Sequence, residues 1–282
     1  MIPRRAFLID TMALVLAPGC IAWPSPSAGR LSLSGSLQQG SLVIGRVQPH
    51  AHVLVNDGPV LLSDTGLFAF GLDYDQKKPT AVAVQCADGT SETRSVRPVA
   101  RTYEVQKING LPEKFVSPPS DIQKRIDDEN ARIAKARKVD SSGTAFAETF
   151  DWPTTGIISS LFGSQRILNG IPKAPHFGVD IAAPEGTPIH APADATVSLA
   201  EPDFYLTGGT TVLDHGHGVF TMYIHQNTLK VSAGQTVKRG GLIGLVGMKG
   251  RATGPHLHWG MNWFQMKVDP SLSTRTPSPA KA

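Results

Sequence analysis

Gly254-Pro255-His256-Leu257-His258-Trp259 marks the strand on which the C-terminal half of the chain is expected to be built. Gly-Pro is a turn signal, and the residues after it read as the start of a β-strand. Side chains at i and i+2 on a strand share a face, so His256 and His258 stand side by side, their Cα atoms about 6–7 Å apart. That suits one ion and one proton-handling group in a common cleft. The spacing alone is not distinctive, because His50/His52 and His215/His217 repeat it.

Upstream of this stretch, short apolar runs recur between turn signals: Gly156–Ser159, Ala195–Leu199, Thr210–Leu213, Val219–Ile224 and Leu242–Val246. Together they delimit a β-rich domain over residues 149–270. A second β-rich region spans 31–102, with Leu42-Val43-Ile44, Val53-Leu54-Val55, Val60-Leu61-Leu62, Leu67–Phe70 and Ala81–Val84 as strands and Asn56-Asp57-Gly58 as a hairpin signal. Strands at this spacing predict a small β-sandwich. Residues 103–148 connect the two. Ser120-Asp121-Ile122-Gln123 reads as a capping box, and Ile122, Ile126 and Ile133 form one narrow apolar stripe, predicting a helix over about 121–138. Such a stripe belongs to a surface helix lying across a domain; an arm that binds a partner is the alternative. The expected fold class is therefore mostly β: an N-terminal sandwich, a connecting surface helix and a C-terminal antiparallel sheet domain.

The ends are different in kind. Residues 1–28 read as an export signal, since Pro3-Arg4-Arg5-Ala6-Phe7-Leu8-Ile9 resembles the twin-arginine signature and a short apolar stretch follows. An exported, periplasmic protein is expected, with lipid anchoring at Cys20 the less favoured alternative. Residues 271–282 are rich in Ser, Thr and Pro and are expected to be disordered. The net charge of +4 comes entirely from residues 1–30, where Arg4, Arg5 and Arg30 stand against Asp10, and from residues 271–282, while acidic and basic residues balance in each segment between. No basic face for nucleic acid is supported. Two cysteines, Cys20 and Cys86, make no internal disulfide framework.

The remaining histidines all fall in the C-terminal domain. His176 and Asp180 in His176-Phe177-Gly178-Val179-Asp180 would lie about 13 Å apart on a straight strand, too far to share an ion. A bend is needed, and Pro175 and Gly178 ease it. Tyr223 and His225 share a face if strand alternation holds. Two histidines and an aspartate suit Zn²⁺ with a fourth position open, but spacing does not say which of His256 and His258 is the ligand. His50 and His52 lack a carboxylate at ligand spacing and read as structural; the glycines around His215 and His217 suggest a turn.

The ordered series His176-x-Gly178-x-Asp180, Tyr223-x-His225 and Gly244-x-x-Gly247 leading into Thr253–His258 resembles the lysostaphin-type (beta-lytic) zinc metallopeptidases, with Phe162-Gly163 and Arg166 fitting the domain entry. The resemblance implies an antiparallel β-sheet metallopeptidase domain with a groove and one Zn²⁺, ligated by His176, Asp180 and His258. It implies His225 and His256 as catalytic histidines and Arg166, Tyr223 and Thr253 along the substrate groove. Many members carry an acidic residue soon after the last histidine, where this chain has Trp259-Gly260. The implied function is hydrolysis of peptide cross-links in bacterial peptidoglycan. A weakly active or inactive wall-binding activator of other hydrolases is the alternative, and cell-wall or division proteins are candidate partners of the N-terminal domain or the helix.

Overall fold

The computed structural model describes residues 30–275 and 279–281. The residues read as an export signal, Cys20 among them, lie outside the described residues.

In the N-terminal region, strands Ser32–Ser34, Leu42–Arg46 and Leu67–Gly71 form one sheet, and Gly58–Pro59, His52–Val55, Thr80–Gln85 and Ser91–Val96 form another. The two faces share a core of Val43, Val53, Phe68, Phe70, Val82, Val84 and Cys86. Alternation explains the second sheet: in Thr80–Gln85 every other residue is buried. Asn56 and Asp57 both have positive φ, as a two-residue hairpin turn demands. The strand after the turn is Gly58–Pro59, and the one expected over Val60–Leu62 does not form, because the ladder with His52–Val55 ends there.

The connecting helix runs from Ser120 to Ala136. Its buried residues Ile126, Ile133 and Ala136 face the sheet of the C-terminal domain; Ile133 and Ala136 pack with Leu199, Phe204, Val212 and Phe220. The expected capping box does not form. Ser120 is already helical, the N-cap is Pro119, which has no hydroxyl to offer, and Gln123 bonds to Asp127 one turn on. The connector also holds a strand that its sequence does not announce: Val105–Ile108 pairs in parallel with Gln165–Leu168.

The C-terminal domain is built on a nine-stranded sheet. At its centre His256–Trp263 lies between Val219–Gln226 and Val179–Ala182, antiparallel to both. Beyond Val219–Gln226 come Gly208–Asp214 and Ala195–Phe204; beyond Val179–Ala182 comes Ile157–Ser160. Gly208–Asp214 is buried along its whole length, because the helix covers one face of the sheet. A core of Ile189, Leu213, Tyr223, Ile243, Leu257 and Trp259 covers the other. A further cluster joins the two halves of the molecule, with Leu42 and Ala69 of the first sheet packed with Phe146, Phe150, Met261 and Val268.

The segment expected to be disordered after Pro270 is partly ordered. Asp269 caps a short 3₁₀ turn over Pro270–Ser273. Phe150 and its neighbours then exchange backbone bonds with the chain's exit: Phe150 N donates to Ser273 O at 2.9 Å and Arg275 N to Phe150 O at 3.0 Å. Ala280–Lys281 adds a parallel edge to Ile157–Ser160. Composition suggests disorder here, but these polar residues gain backbone partners at a sheet edge that composition does not reveal.

Candidate metal centre

Strand register builds the site. Asp180 lies opposite His258 and Ala182 opposite His256, which puts the carboxylate beside both histidines. His176 reaches the same point from the turn before Val179–Ala182, clamped by His176 N to Ser164 O at 2.8 Å and Gly163 N to His176 O at 2.7 Å. The turn brings together what a straight strand would hold apart. Gly178 serves it by leaving space: a Cβ there would meet His258 Nε2 at 2.5 Å.

Three ligand atoms converge. His176 Nε2 is 2.9 Å from Asp180 Oδ1 and 2.8 Å from His258 Nδ1, and His258 Nδ1 is 2.8 Å from Asp180 Oδ1. All three residues are buried. Their protons show what the cluster lacks. His176 Nδ1 lies 3.1 Å from the Leu161 carbonyl oxygen, which can only accept, so the proton of a neutral ring sits on Nδ1. Nε2 is then a bare lone pair facing a carboxylate oxygen and a second ring nitrogen. One proton cannot satisfy three such atoms; a cation can. The donor set of two imidazoles and a carboxylate fits Zn²⁺ with a position left open. Arg166 Nη2 holds the other oxygen, Asp180 Oδ2, at 2.9 Å, so Oδ1 is the one turned to the cluster. Burial works to raise the Asp180 pKa, but His176 and His258 outweigh it and hold the carboxyl well below its usual range. Burial pushes His258 down to about 4.

Two more histidines flank the cluster. The His256 ring lies 4.7 Å from that of His225, and His256 Nε2 is 3.9 Å from Asp180 Oδ1. Each gives its Nδ1 proton to a backbone carbonyl, His256 to Gly254 at 2.8 Å and His225 to Lys249 at 2.8 Å. In the neutral rings Nε2 is therefore the basic atom of both. Burial, then the neighbouring His256 and His258, push His225 down to about 3.

Strand alternation fails at His225. Its φ is +63°, and the ladder to Gly208–Asp214 shifts register between Gly209 and Thr211. The left-handed residue turns His225 toward His256, away from Tyr223. Tyr223, expected in the groove, is instead fully buried in the core with Leu257 and Trp259, its hydroxyl on Thr221. Thr253 is exposed on the loop before His256. Arg166 is spent on Asp180. His215 is buried in a turn, with Nδ1 on Asp194 O and Nε2 on Thr221; His217 stacks on Phe146 and bonds Leu61 O across the domain boundary.

Other contributors escape sequence reasoning. Ser160 Oγ lies 2.9 Å from His176 Nδ1 and donates to Gln106 Oε1 at 2.9 Å. Neither residue type carries a motif. The connector also ties down the flanks: Lys173 Nζ donates to Val116 O at 2.6 Å, and Asn169 exchanges two bonds with Leu111. Tyr74 and Tyr103 stack 4.5 Å apart, and Tyr74 meets Phe177, next to His176, edge-on at 5.6 Å.

Residues 174–270 match the model of Peptidase family M23. Peptidoglycan DD-endopeptidase ShyA of Vibrio cholerae is 43% identical over 104 residues, 36% of this chain and 24% of that protein. DD-carboxypeptidase/endopeptidase Mpg of Neisseria meningitidis is 38% identical over 105 residues, 37% of this chain and 24% of its own length. The match thus spans about a quarter of these curated relatives. A crystal structure from Pseudomonas aeruginosa described as a peptidase M23 aligns at a TM-score of 0.65 with 29% identity, covering 84% of this chain and 94% of that one.

Proposed function

We propose that the chain, whose residues 174–270 match the model of Peptidase family M23, is a zinc-dependent endopeptidase cutting peptide cross-links of peptidoglycan in the periplasm. The observation that carries this reading is the convergence of His176 Nε2, Asp180 Oδ1 and His258 Nδ1 on one point, with two basic Nε2 atoms beside it. The substrate class is supported by the names of the relatives, and export by the twin-arginine-like residues near the N-terminus.

His176, Asp180 and His258 would hold Zn²⁺, and when bound it would supply Lewis acidity toward a carbonyl and toward water. The protein does the rest. Arg166 keeps the Asp180 carboxylate turned so that one oxygen is presented. His256 and His225, locked as Nδ1–H tautomers by Gly254 O and Lys249 O, each offer a neutral Nε2. Such a ring accepts a proton from attacking water and, once charged, donates to a developing oxyanion or to the leaving amine nitrogen.

Digestion of purified sacculi with and without a chelator, followed by muropeptide analysis, tests the reading. Cross-linked dimers fall with the zinc-loaded protein and persist with the chelator. Unchanged cross-linking by zinc-loaded protein would favour the non-hydrolytic activator. Asp180→Ala loses bound zinc and cleavage together, whereas His225→Ala keeps zinc and slows turnover by about a hundredfold or more. Cleavage by Asp180→Ala at the parent rate sinks the site assignment.

A further inference from the structure

We propose that Gln106, in the connector and far outside the family-matched segment, is a positioning residue for the metal ligand His176, acting through the Ser160 hydroxyl. This rests on the metal-site reading above and goes beyond it by giving the connector a part in the site.

The geometry starts from a strand pair. Val105–Ile108 runs parallel to Gln165–Leu168 with Gln106 in register with Arg166, and the pair is continued by Gln165 N to Glu104 O at 2.8 Å and Asn169 N to Ile108 O at 2.9 Å. Residues in register on neighbouring strands point to the same face. Here that face looks toward the metal centre, and the two side chains serve one ligand each. Arg166 Nη2 grips Asp180 Oδ2 at 2.9 Å. Gln106 Oε1 accepts from Ser160 Oγ at 2.9 Å, and Ser160 Oγ lies 2.9 Å from His176 Nδ1.

The chain of bonds has a direction. With its own proton given to Gln106, the Ser160 hydroxyl presents a lone pair to His176 and can only accept. Together with the Leu161 carbonyl, this keeps the His176 proton on Nδ1 and leaves Nε2 bare for a cation. Without Gln106 the hydroxyl is free to rotate and donate to Nδ1. That favours the tautomer with its proton on Nε2, where it blocks the metal. The strand pairing therefore does more than attach the connector: it sets the tautomer of one ligand and the rotamer of another.

The test is zinc affinity of the full chain, measured by competition with a chromophoric chelator, with the thermal midpoint of the zinc-free protein as a check on folding. Gln106→Leu weakens zinc binding about tenfold to a hundredfold while the zinc-free midpoint stays within a few degrees. Gln106→Glu, which offers only acceptors, restores at least parent affinity, an outcome that a role in packing alone does not produce. Lys107→Ala, on the exposed side of the same strand, leaves affinity unchanged. Ser160→Ala combined with Gln106→Leu is no weaker than Ser160→Ala alone, since Gln106 acts through that hydroxyl. Parent-like zinc affinity in folded Gln106→Leu overturns the proposal and leaves the metallopeptidase reading standing. A parent that binds no zinc overturns both. A parent that binds zinc yet spares sacculi overturns only the hydrolytic reading.

Discussion

At the scale of single residues, the site is governed by close approach and proton bookkeeping. Gly178→Ala sets a methyl carbon where His258 Nε2 lies 2.5 Å away, so the ring must move and zinc retention falls at least tenfold, measurable by metal analysis after dialysis. The reason differs from the flexibility that the sequence suggests, because Gly178 is not among the positive-φ glycines. His215 carries a pH prediction. Burial holds its folded pKa down to about 4 against a reference value of 6.5. Its depressed value means the unfolded chain takes up the proton first, so the stability is fully present above pH 6.5 and is lost as pH falls toward 4. The loss amounts to about 3 kcal/mol. The thermal midpoint of the zinc-free protein therefore drops between pH 7 and pH 4, and less steeply in His215→Gln. Equal slopes would remove the assignment. The grouping of His176, Asp180 and His258 was legible, since their types and order carry the resemblance. The turn of His225 was not, because a left-handed residue at a bulge leaves no mark in an alternating pattern.

At the scale of elements, the helix and the connector strand show where local pattern and tertiary structure part company. The stripe Ile126–Ile133 is readable at helical period, and the helix lies where such a stripe requires. Its stability comes from that face: Ile133→Ala costs about 2–4 kcal/mol. Arg132→Ala, which removes a half-exposed pair with Glu201, costs about 0–1 kcal/mol. Urea midpoints of the two variants check the contrast. Similar losses would mean that the helix is held by its charges. Val105–Ile108 could not be read in the same way. Four residues with two exposed positions make no strand alone, and the pairing exists because Gln165–Leu168 offers an edge. Beyond it, Lys173→Met removes the bond to Val116 O, and limited proteolysis between residues 109 and 119 is expected to speed up several-fold.

At the scale of the whole molecule, the sandwich and the C-terminal domain share a core as well as a border. Leu42 and Ala69 pack with Phe146, Phe150, Met261 and Val268, and His217 reaches Leu61 across the boundary. Calorimetry of the zinc-free chain should therefore give one cooperative transition, and Phe146→Ala should lower it by about 3–5 kcal/mol of stability. Two resolved transitions would contradict a shared core. The two β-rich regions were legible from strand spacing and turn residues, but their contact was not, because the apolar residues that form it look like any other strand interior. The backbone bonds between Phe150 and Ser273–Arg275 carry a last consequence. The C-terminal domain starts and finishes at one point, its two ends roughly 5 Å apart as neighbouring strands are. Only the spacing of its ends is that of a cassette: grafted into a surface loop of a host protein, it would stretch that loop by hardly more than a tight turn does, but the faces that the sandwich and the helix cover would lie bare. Such a graft carries Arg166 with it and leaves Gln106 behind.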